Sequence, residues 1–365
     1  MSQFNTHPMR PFFTAAALCA IAAALLFFRN GGAIVLHRRL FLELALPAAY
    51  AGFLTAAMLE WTGYAGSIKR PAAAFGLLLT AAALLLPFAP AAAAWAVAAC
   101  WLTLLLFCTR LVWLDRNTDN FALLLLLALF SGFQAAFART GDWAMLRAQV
   151  HINMAAVLFV SFRVSILLGA EALKESRLKD PVFIPNAVYK NIGILFLLLY
   201  AAAELRLPAQ AAGFMALAAG CVLLAKLREL HHFELMRKHY VRTYYWLQLC
   251  AAAGYLWLGA AKLGGGNTAT PLHLVALGGL LGALFMVRLT AGLWHSGFTK
   301  LDYPKPCRAA LPCLFAAALA RTAAASLHPL FYTAVPAALT AAAFALYLYA
   351  FVPIFRANAF TADPE

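Results

Sequence analysis

The sequence predicts an all-α membrane protein, a polytopic helical bundle that crosses the bilayer about twelve times. Hydrophobic residues make up 64% of the 365 residues and charged residues only 12%, whereas soluble chains carry about 25% charged residues. The mean hydropathy is +0.80, and apolar runs of roughly 20 residues, enough to span a bilayer core, recur along the chain. We therefore expect a single transmembrane domain over residues 1–365 with lipid as its surroundings.

The hydrophobic segments follow one another with short polar connections. In chain order they are predicted at 12–28, 40–60, 71–88, 90–114, 120–138, 144–170, 187–204, 208–226, 243–262, 271–293, 308–326 and 330–355. The boundary at Pro87–Pro90 fits either a tight turn or a kinked helix. The first segment is interpreted as an uncleaved helix, because no small-residue cleavage motif precedes the second.

The basic residues are distributed unevenly between alternate connections. With a cytoplasmic N-terminus, about two thirds of the 28 Lys and Arg residues fall on the cytoplasmic side. The polar connections near 171–186 and 227–242 hold many of them. This pattern predicts that both termini are cytoplasmic, and it explains the net charge of +14 without a nucleic-acid partner.

Three histidines open evenly spaced segments. His37, His151 and His273 stand at the start of spans 2, 6 and 10, so an even four-span interval places all three near the outer surface. Imidazole is a common ligand of haem iron and copper. The interval suggests a cofactor layer and a pseudo-threefold repeat of four-helix units. The alternative for each ring is a side chain that anchors or caps a helix at the membrane edge.

Charged side chains inside spans are costly and are therefore candidate functional residues. Glu43 follows Arg39 by four residues, so the two are expected to pair on one helical face. Arg163 and Arg288 occupy similar depths in spans 6 and 10 and are candidates to hold haem propionates or another anion; snorkelling to the surface is the alternative.

His295 and the cysteines complete the candidate set. His295 lies 22 residues after His273, at the opposite membrane edge, and is a candidate metal ligand of a separate cytoplasmic feature. The seven cysteines form no Cys-x-x-Cys motif, which argues against covalent haem attachment and zinc knuckles. Gly278 and Gly282 form a Gly-x-x-x-Gly motif that favours close helix packing.

Short motifs along the whole chain resemble one family, the NnrS-type membrane proteins. They are His7-Pro8-Met9-Arg10-Pro11-Phe12-Phe13, the stretch after His37 with Gly52-Phe53-Leu54-Thr55-Ala56 and Trp61-Thr62-Gly63, His151 leading to Arg163-Val164, and His273 followed by Trp294-His295-Ser296-Gly297. The resemblance implies a twelve-span bacterial inner-membrane protein that contains haem and copper and acts in nitric oxide metabolism and nitrosative stress.

The sequence departs from that family's pattern at several positions. Where the family usually has Trp-His-x-His-Glu-Met, this chain has Leu36-His37-Arg38-Arg39-Leu40-Phe41, so that one potential ligand is replaced by Arg39. Thr290 stands where the family has an arginine, and no histidine precedes Gly254-Tyr255. We expect His151 and His273, which open long helices, to bind more strongly than His37, which lies beside two arginines.

The resulting function is an inner-membrane haem protein, with copper as a second cofactor, whose partners are nitric oxide or a redox donor. Whether it turns over a substrate is not visible in the sequence. The alternatives are a secondary transporter for a small anion or a proton-coupled solute, lined by Arg163, Arg288 and Glu43, and a membrane scaffold without a cofactor.

Overall fold

The computed structural model describes residues 2–28, 33–116, 118–176, 178 and 183–361, and within them all regular secondary structure is helical. The long helices are α1 Met9–Leu25, α2 Ile34–Thr62, α3 Lys69–Leu85, α4 Pro90–Asp115, α5 Phe121–Thr140, α6 Trp143–Lys174, α7 Ala187–Arg206, α8 Ala209–Lys226, α9 His239–Leu263, α10 Ala269–Trp294, α11 Lys305–Arg321 and α12 Ala334–Ala357.

Each predicted hydrophobic segment overlaps one of these helices. The ends are set by local chemistry: α2 and α5 end at Gly63 and Gly141, which adopt the left-handed conformation that favours glycine. The ambiguous boundary at Pro87–Pro90 is a turn, because α3 ends at Leu85 and Pro90 begins α4.

Eight helices among the described residues are long and apolar enough to cross a membrane. They are α2, α4, α5, α6, α7, α8, α10 and α12. Of the other predicted spans, α1 is apolar but only 17 residues long, and α3, α9 and α11 lie outside the set. The chain thus has the helices of a polytopic membrane protein, while twelve crossings remain a prediction.

Two of these helices contain π-helical segments. Residues Leu40–Ala45 form one within α2 and residues Leu274–Leu281 form another within α10. Both follow closely after a histidine of the predicted cofactor layer, His37 and His273. π-Helical turns are rare and occur frequently at functional sites.

The chain divides into two compact units, and the divisions fall within α6, α10 and α11. Unit 1 comprises 1–147, 287–313 and 333–365, and unit 2 comprises 148–286 and 314–332. These divisions do not coincide with the boundaries of three successive four-helix units, so the pseudo-threefold repeat also remains a prediction.

Unit 1 is built around α1, which packs against α2 and α12. The approach to α2 is close: a Cβ at Gly52 would lie 2.6 Å from Phe13 Cδ1. Helices α3, α4 and α5 pack in sequence, and α4 and α5 contribute Trp101 and Phe130, which pack with Tyr50 of α2 in a buried aromatic cluster.

Unit 2 is built around α9, which packs against α8 and against the π-helical part of α10. A Cβ at Gly259 would lie 2.7 Å from the Gly213 carbonyl oxygen, so glycine lets α8 and α9 approach closely. A Cβ at Gly278 would lie 2.8 Å from the Cys250 Cβ, and one at Gly282 would lie 2.2 Å from Leu247 Cδ2. The Gly-x-x-x-Gly motif therefore serves helix packing, as the sequence favoured.

Candidate functional site

The most densely connected buried polar cluster of unit 2 surrounds His151. Helix α6 places this ring in the core with 0% exposure. Its Nδ1 lies 2.9 Å from the Tyr255 hydroxyl oxygen of α9, and its Nε2 lies 3.2 Å from Oε2 of Glu204 in α7. Three helices thus meet at one imidazole. We call His151, Glu204, Tyr255, Tyr200 and Lys262 the His151 cluster.

The carboxylate of Glu204 is the centre of this cluster. Its Oε1 accepts a hydrogen bond from the Tyr200 hydroxyl at 3.2 Å, one helical turn earlier in α7. The Nζ atom of Lys262 lies 3.2 Å from the same oxygen. A buried carboxylate is stable only when charge and hydrogen bonds compensate for its lost hydration, and Lys262 and Tyr200 provide both.

The geometry around His151 suits proton transfer. An ionised carboxylate only accepts hydrogen bonds, so the Nε2–H of a neutral ring points to Glu204 while Nδ1 accepts from the Tyr255 hydroxyl. The imidazole therefore connects a phenol on one side with a carboxylate on the other. Proton exchange between Tyr255 and Glu204 has a continuous hydrogen-bonded route through this ring.

The same pair of atoms has the spacing of two metal ligands. Zinc-like and copper-like ions bind imidazole nitrogen and carboxylate oxygen at about 2.0–2.2 Å, and two atoms 3.2 Å apart can both reach such an ion. In that state Nδ1–H donates to Tyr255, the outer contact that orients ligating histidines. A porphyrin plane does not fit between Nε2 and Glu204 at this separation. The pair suits an ion rather than haem.

His273 is engaged at both ring nitrogens. Its Nδ1 donates to the Ala269 carbonyl oxygen at 2.7 Å. Its Nε2 lies 3.1 Å from Arg321 Nη2, and since a guanidinium only donates, Nε2 is the acceptor. Arg321 also stacks on the Tyr332 ring, 4.0 Å from its centroid. Metal binding at Nε2 would have to displace a cation, so His273 fits a ligand role poorly in this arrangement.

His37 belongs to unit 1 and has the orientation expected of a ligand. Its Nδ1 donates to the Ala23 carbonyl oxygen of α1 at 2.8 Å, which directs the ring through a backbone contact as in many metal-bound histidines. Phe27 and Phe41 pack edge-on against the ring, with centroids at 4.3 and 5.3 Å. These contacts reverse the expected order of His37 and His273.

Arg288 is the most deeply buried candidate cation. Its exposure is 1%, its guanidinium lies 5.3 Å from the Phe344 centroid, and it interacts electrostatically with Cys19 of α1. Within the part of the chain that the structure describes, its Nε and Nη1 have no hydrogen-bond partner. Because Cys19 precedes Ala23 by one helical turn, Arg288 and His37 flank the same stretch of α1.

Arg163 has a different environment. It belongs to unit 2, is half-buried, and lies 5.3 Å from the Phe159 ring centroid. Lys190 lies 5.8 Å from the centroid of the same ring. Arg163 therefore stacks on an aromatic ring that a second cation also approaches, and it remains a candidate anion partner only as a prediction.

The predicted pair Arg39–Glu43 is confirmed. Arg39 Nε donates to Glu43 Oε2, and its Nη2 donates to the Pro90 carbonyl oxygen at 2.7 Å. Gln134 of α5 donates to the other carboxylate oxygen of Glu43 at 2.6 Å. This buried ion pair is satisfied by its own neighbours, so its contacts are those of a structural element that ties α2 to α4 and α5.

His295 lies at the end of α10 in unit 1, beside His7 and Phe360. Its Nδ1 donates to the Thr361 carbonyl oxygen at 3.0 Å. Phe360 stacks on both histidines, with centroid distances of 3.6 Å to His7 and 5.1 Å to His295. At these near-parallel angles two rings on one face would overlap, so the imidazoles lie on opposite faces of Phe360. A metal ion about 2 Å from each nitrogen cannot be shared across that ring.

Among the described residues, no three His, Cys, Asp or Glu side chains lie close enough together to hold a metal ion. The protein therefore offers ligands singly, as at His37, or in a pair, as at His151 and Glu204. Any metal held there would need further ligands from a macrocycle, from water or from a substrate.

The family assignment agrees with this layout. The NnrS protein family matches residues 3–358, nearly the whole chain. The chain belongs to the NnrS family. The motifs around His7, His37, His151 and His295 thus have the family context that the sequence suggested. No curated protein and no solved structure matches this NnrS chain.

The sequence did not reveal the partners of His151. Glu204 lies two residues before Arg206 at the end of a span, where a carboxylate usually faces the membrane surface, and Lys262 occupies a similar place in α9. One local signal was available: Tyr200 and Glu204 are four residues apart, which places them on one helical face. Tyr255 becomes recognisable only when α6 and α9 are seen to pack together.

Proposed function

We propose that this NnrS protein is a haem-containing inner-membrane protein of the nitric oxide response, with a copper ion as a second cofactor. The observation that carries the proposal is the family match over residues 3–358. The eight apolar helices support the membrane location. Two places in the structure fit the two cofactors, one in each unit.

For the haem, we propose His37 as the axial ligand and Arg288 as the partner of a propionate. The support is that His37 is oriented through the Ala23 carbonyl oxygen and that Arg288 is a buried guanidinium with two unpartnered nitrogens. Both side chains flank the same face of α1. A buried cation needs an anion, and a propionate supplies one.

For the copper ion, we propose His151 and Glu204 as the protein ligands. Their facing atoms are 3.2 Å apart, Tyr255 orients the imidazole, and Lys262 balances the charge of Glu204. The same residues can deliver a proton when no ion intervenes. Haem, when bound, supplies a ferrous iron that binds nitric oxide or passes electrons. The chain's own residues hold the propionate, orient the imidazoles and exclude water from these buried positions.

The test is the absorbance and metal content of the purified protein. The wild type is expected to show a Soret band and to carry copper by mass spectrometry. His37→Ala should abolish the Soret band, and Arg288→Gln should lower haem retention. His151→Ala and Glu204→Gln should remove copper and leave the Soret band.

His273→Ala is the matched control, because this ring opens a helix like His151 but is engaged by Arg321; it should change neither reading. A wild type that binds no haem when expressed with excess haem would overturn the proposal and favour the transporter or the scaffold. Loss of the Soret band in His273→Ala but not in His37→Ala would restore the order that the sequence suggested.

We also propose twelve crossings with both termini in the cytoplasm. The support is the overlap of every predicted segment with a helix and the excess of basic residues on one side. Reporter fusions after Arg356 should give a cytoplasmic signal, and fusions within residues 139–147 a periplasmic one. The opposite pair of signals would invert the orientation, and two signals from one side would contradict the number of crossings.

A further inference from the structure

A second buried polar cluster lies in unit 1, where α1 begins and α10 ends. It contains Arg10, His7 and Ser296, which are buried to 0%, 6% and 4% exposure. Four atoms of these side chains have no hydrogen-bond partner among the described residues: Arg10 Nε, Arg10 Nη2, His7 Nε2 and Ser296 Oγ. We call these three residues the Arg10 cluster.

The four unpartnered atoms are all able to donate. The guanidinium has donors only. His7 Nδ1 accepts from the Met9 backbone N–H at 3.2 Å, so a neutral ring carries its proton on Nε2. The Ser296 hydroxyl can turn its proton toward any acceptor. Buried donors without acceptors cost about 1–3 kcal/mol each, and they are rare in folded proteins unless something outside the chain satisfies them.

Arg10 carries the charge of the cluster. Its Nη1 donates to the carbonyl oxygens of Gln3 and Phe355, at 2.7 and 3.0 Å, but no carboxylate in the described part of the chain pairs with it. Burial, then the neighbouring His295, then Arg10 itself lower the pKa of His7 to about 3. Burial also lowers the pKa of His295. Both rings are therefore neutral near pH 7, and one uncompensated positive charge remains.

The chain's C-terminal stretch closes this cluster. The Phe360 ring lies between His7 and His295, and Thr361 is joined to His295 through two backbone-mediated contacts: its N–H donates to the His295 carbonyl oxygen at 3.1 Å, and its carbonyl oxygen accepts from the ring. Phe360 fills the flat space between two parallel imidazoles. The cluster is thus enclosed rather than open to lipid.

We propose that Arg10, His7 and Ser296 form a binding site for a small oxyanion, covered by Phe360. An oxyanion supplies the negative charge that Arg10 lacks and several acceptor oxygens for the orphaned donors. A metal ion is disfavoured, because the guanidinium repels cations and His7 presents a proton instead of a lone pair. This proposal is independent of haem and copper binding.

The experiment uses the full-length protein in nanodiscs of phosphatidylcholine. Calorimetric titrations with sodium nitrite, nitrate and phosphate are compared with sodium chloride at equal ionic strength. We expect saturable binding of at least one oxyanion by the wild type, weakened about tenfold or more in Arg10→Gln. Arg356→Gln, which changes an exposed arginine near the end of α12, is the matched control and should bind like the wild type.

Two further variants keep the test decisive if Arg10→Gln fails to fold. Ser296→Ala removes a hydroxyl that has no partner, so it should weaken binding severalfold without lowering Tm. His7→Asn retains an acceptor for the Met9 N–H but lacks the Nε2–H, and the same weakening is expected.

The lipid surface provides the other source of the same chemistry. Nanodiscs with phosphatidylglycerol should leave the titration with free anions unchanged, because the site is enclosed. Absence of saturable binding in the wild type would overturn the proposal, and so would equal affinity in the wild type and in Ser296→Ala and His7→Asn together. A Tm increase with phosphatidylglycerol that disappears in Arg10→Gln, without binding of any free anion, would assign the site to lipid phosphate instead.

Discussion

The His151 cluster and the Arg10 cluster are both buried, polar and built around histidine, yet they differ in how their charges are compensated. In the first, Glu204 meets an imidazole, a phenol and an ammonium group. In the second, Arg10 and its neighbours present donors that no described carboxylate meets. A self-compensated network stabilises the fold by itself, whereas an uncompensated one depends on something that the chain does not supply.

The largest expected effect concerns the carboxylate of the compensated cluster. Glu204→Leu removes the anion and leaves Lys262 and His151 buried without it, so we expect a loss of about 3–5 kcal/mol in the free energy of unfolding. Denaturant titration in mild detergent measures it. Glu234→Leu, at a half-exposed pair with Arg237, should cost less than about 1 kcal/mol. Similar losses at both positions would show that the His151 cluster is not energetically compensated.

The next prediction compares two buried arginines of unit 1. Arg39→Gln leaves the Glu43 carboxylate buried without its cation, and should cost about 3–5 kcal/mol. Arg10→Gln removes a cation that has no carboxylate, so only hydrogen bonds to carbonyl oxygens are lost, and about 1–2 kcal/mol is expected in anion-free buffer. Chemical unfolding of both variants in the same detergent gives the comparison. A greater loss for Arg10→Gln would mean that Arg10 has a charge partner.

The smallest effect is the response of unit 1 to acid. The pKa of His7 is lowered from 6.5 to about 3, chiefly by burial, so the unfolded chain takes up the proton first. The associated stability is complete above about pH 6.5 and declines as the pH falls toward 3, by at most about 1.4 kcal/mol per pH unit. Thermal unfolding between pH 7.5 and 5.5 should therefore show a smaller decrease in Tm for His7→Asn than for the wild type. Equal decreases would contradict this role of His7.

The same comparison shows what the sequence could and could not predict. Hydropathy located all the long helices, because each must present about 20 apolar residues, and the spacing of Arg39 and Glu43 predicted their ion pair since both lie in α2. The contacts of His151 depend on which helices pack together, which periodicity does not reveal. Arg10 donates to a carbonyl oxygen 345 positions away. Such a pairing has no local signature in a single sequence.

The two π-helical segments have a consequence for numbering itself. A π turn holds about one residue more than an α turn, so within α2 and α10 it acts as a single-residue insertion absorbed without breaking the helix. Everything before the segment is rotated by close to 100° against everything after it, compared with an uninterrupted α-helix. Fixed-spacing motifs that begin at His37 or His273 therefore lose their phase downstream. Deleting Leu277 from the segment Leu274–Leu281 should restore an ordinary α-helix and turn His273 away from Arg321, a rotation that the shortening of one loop could not produce.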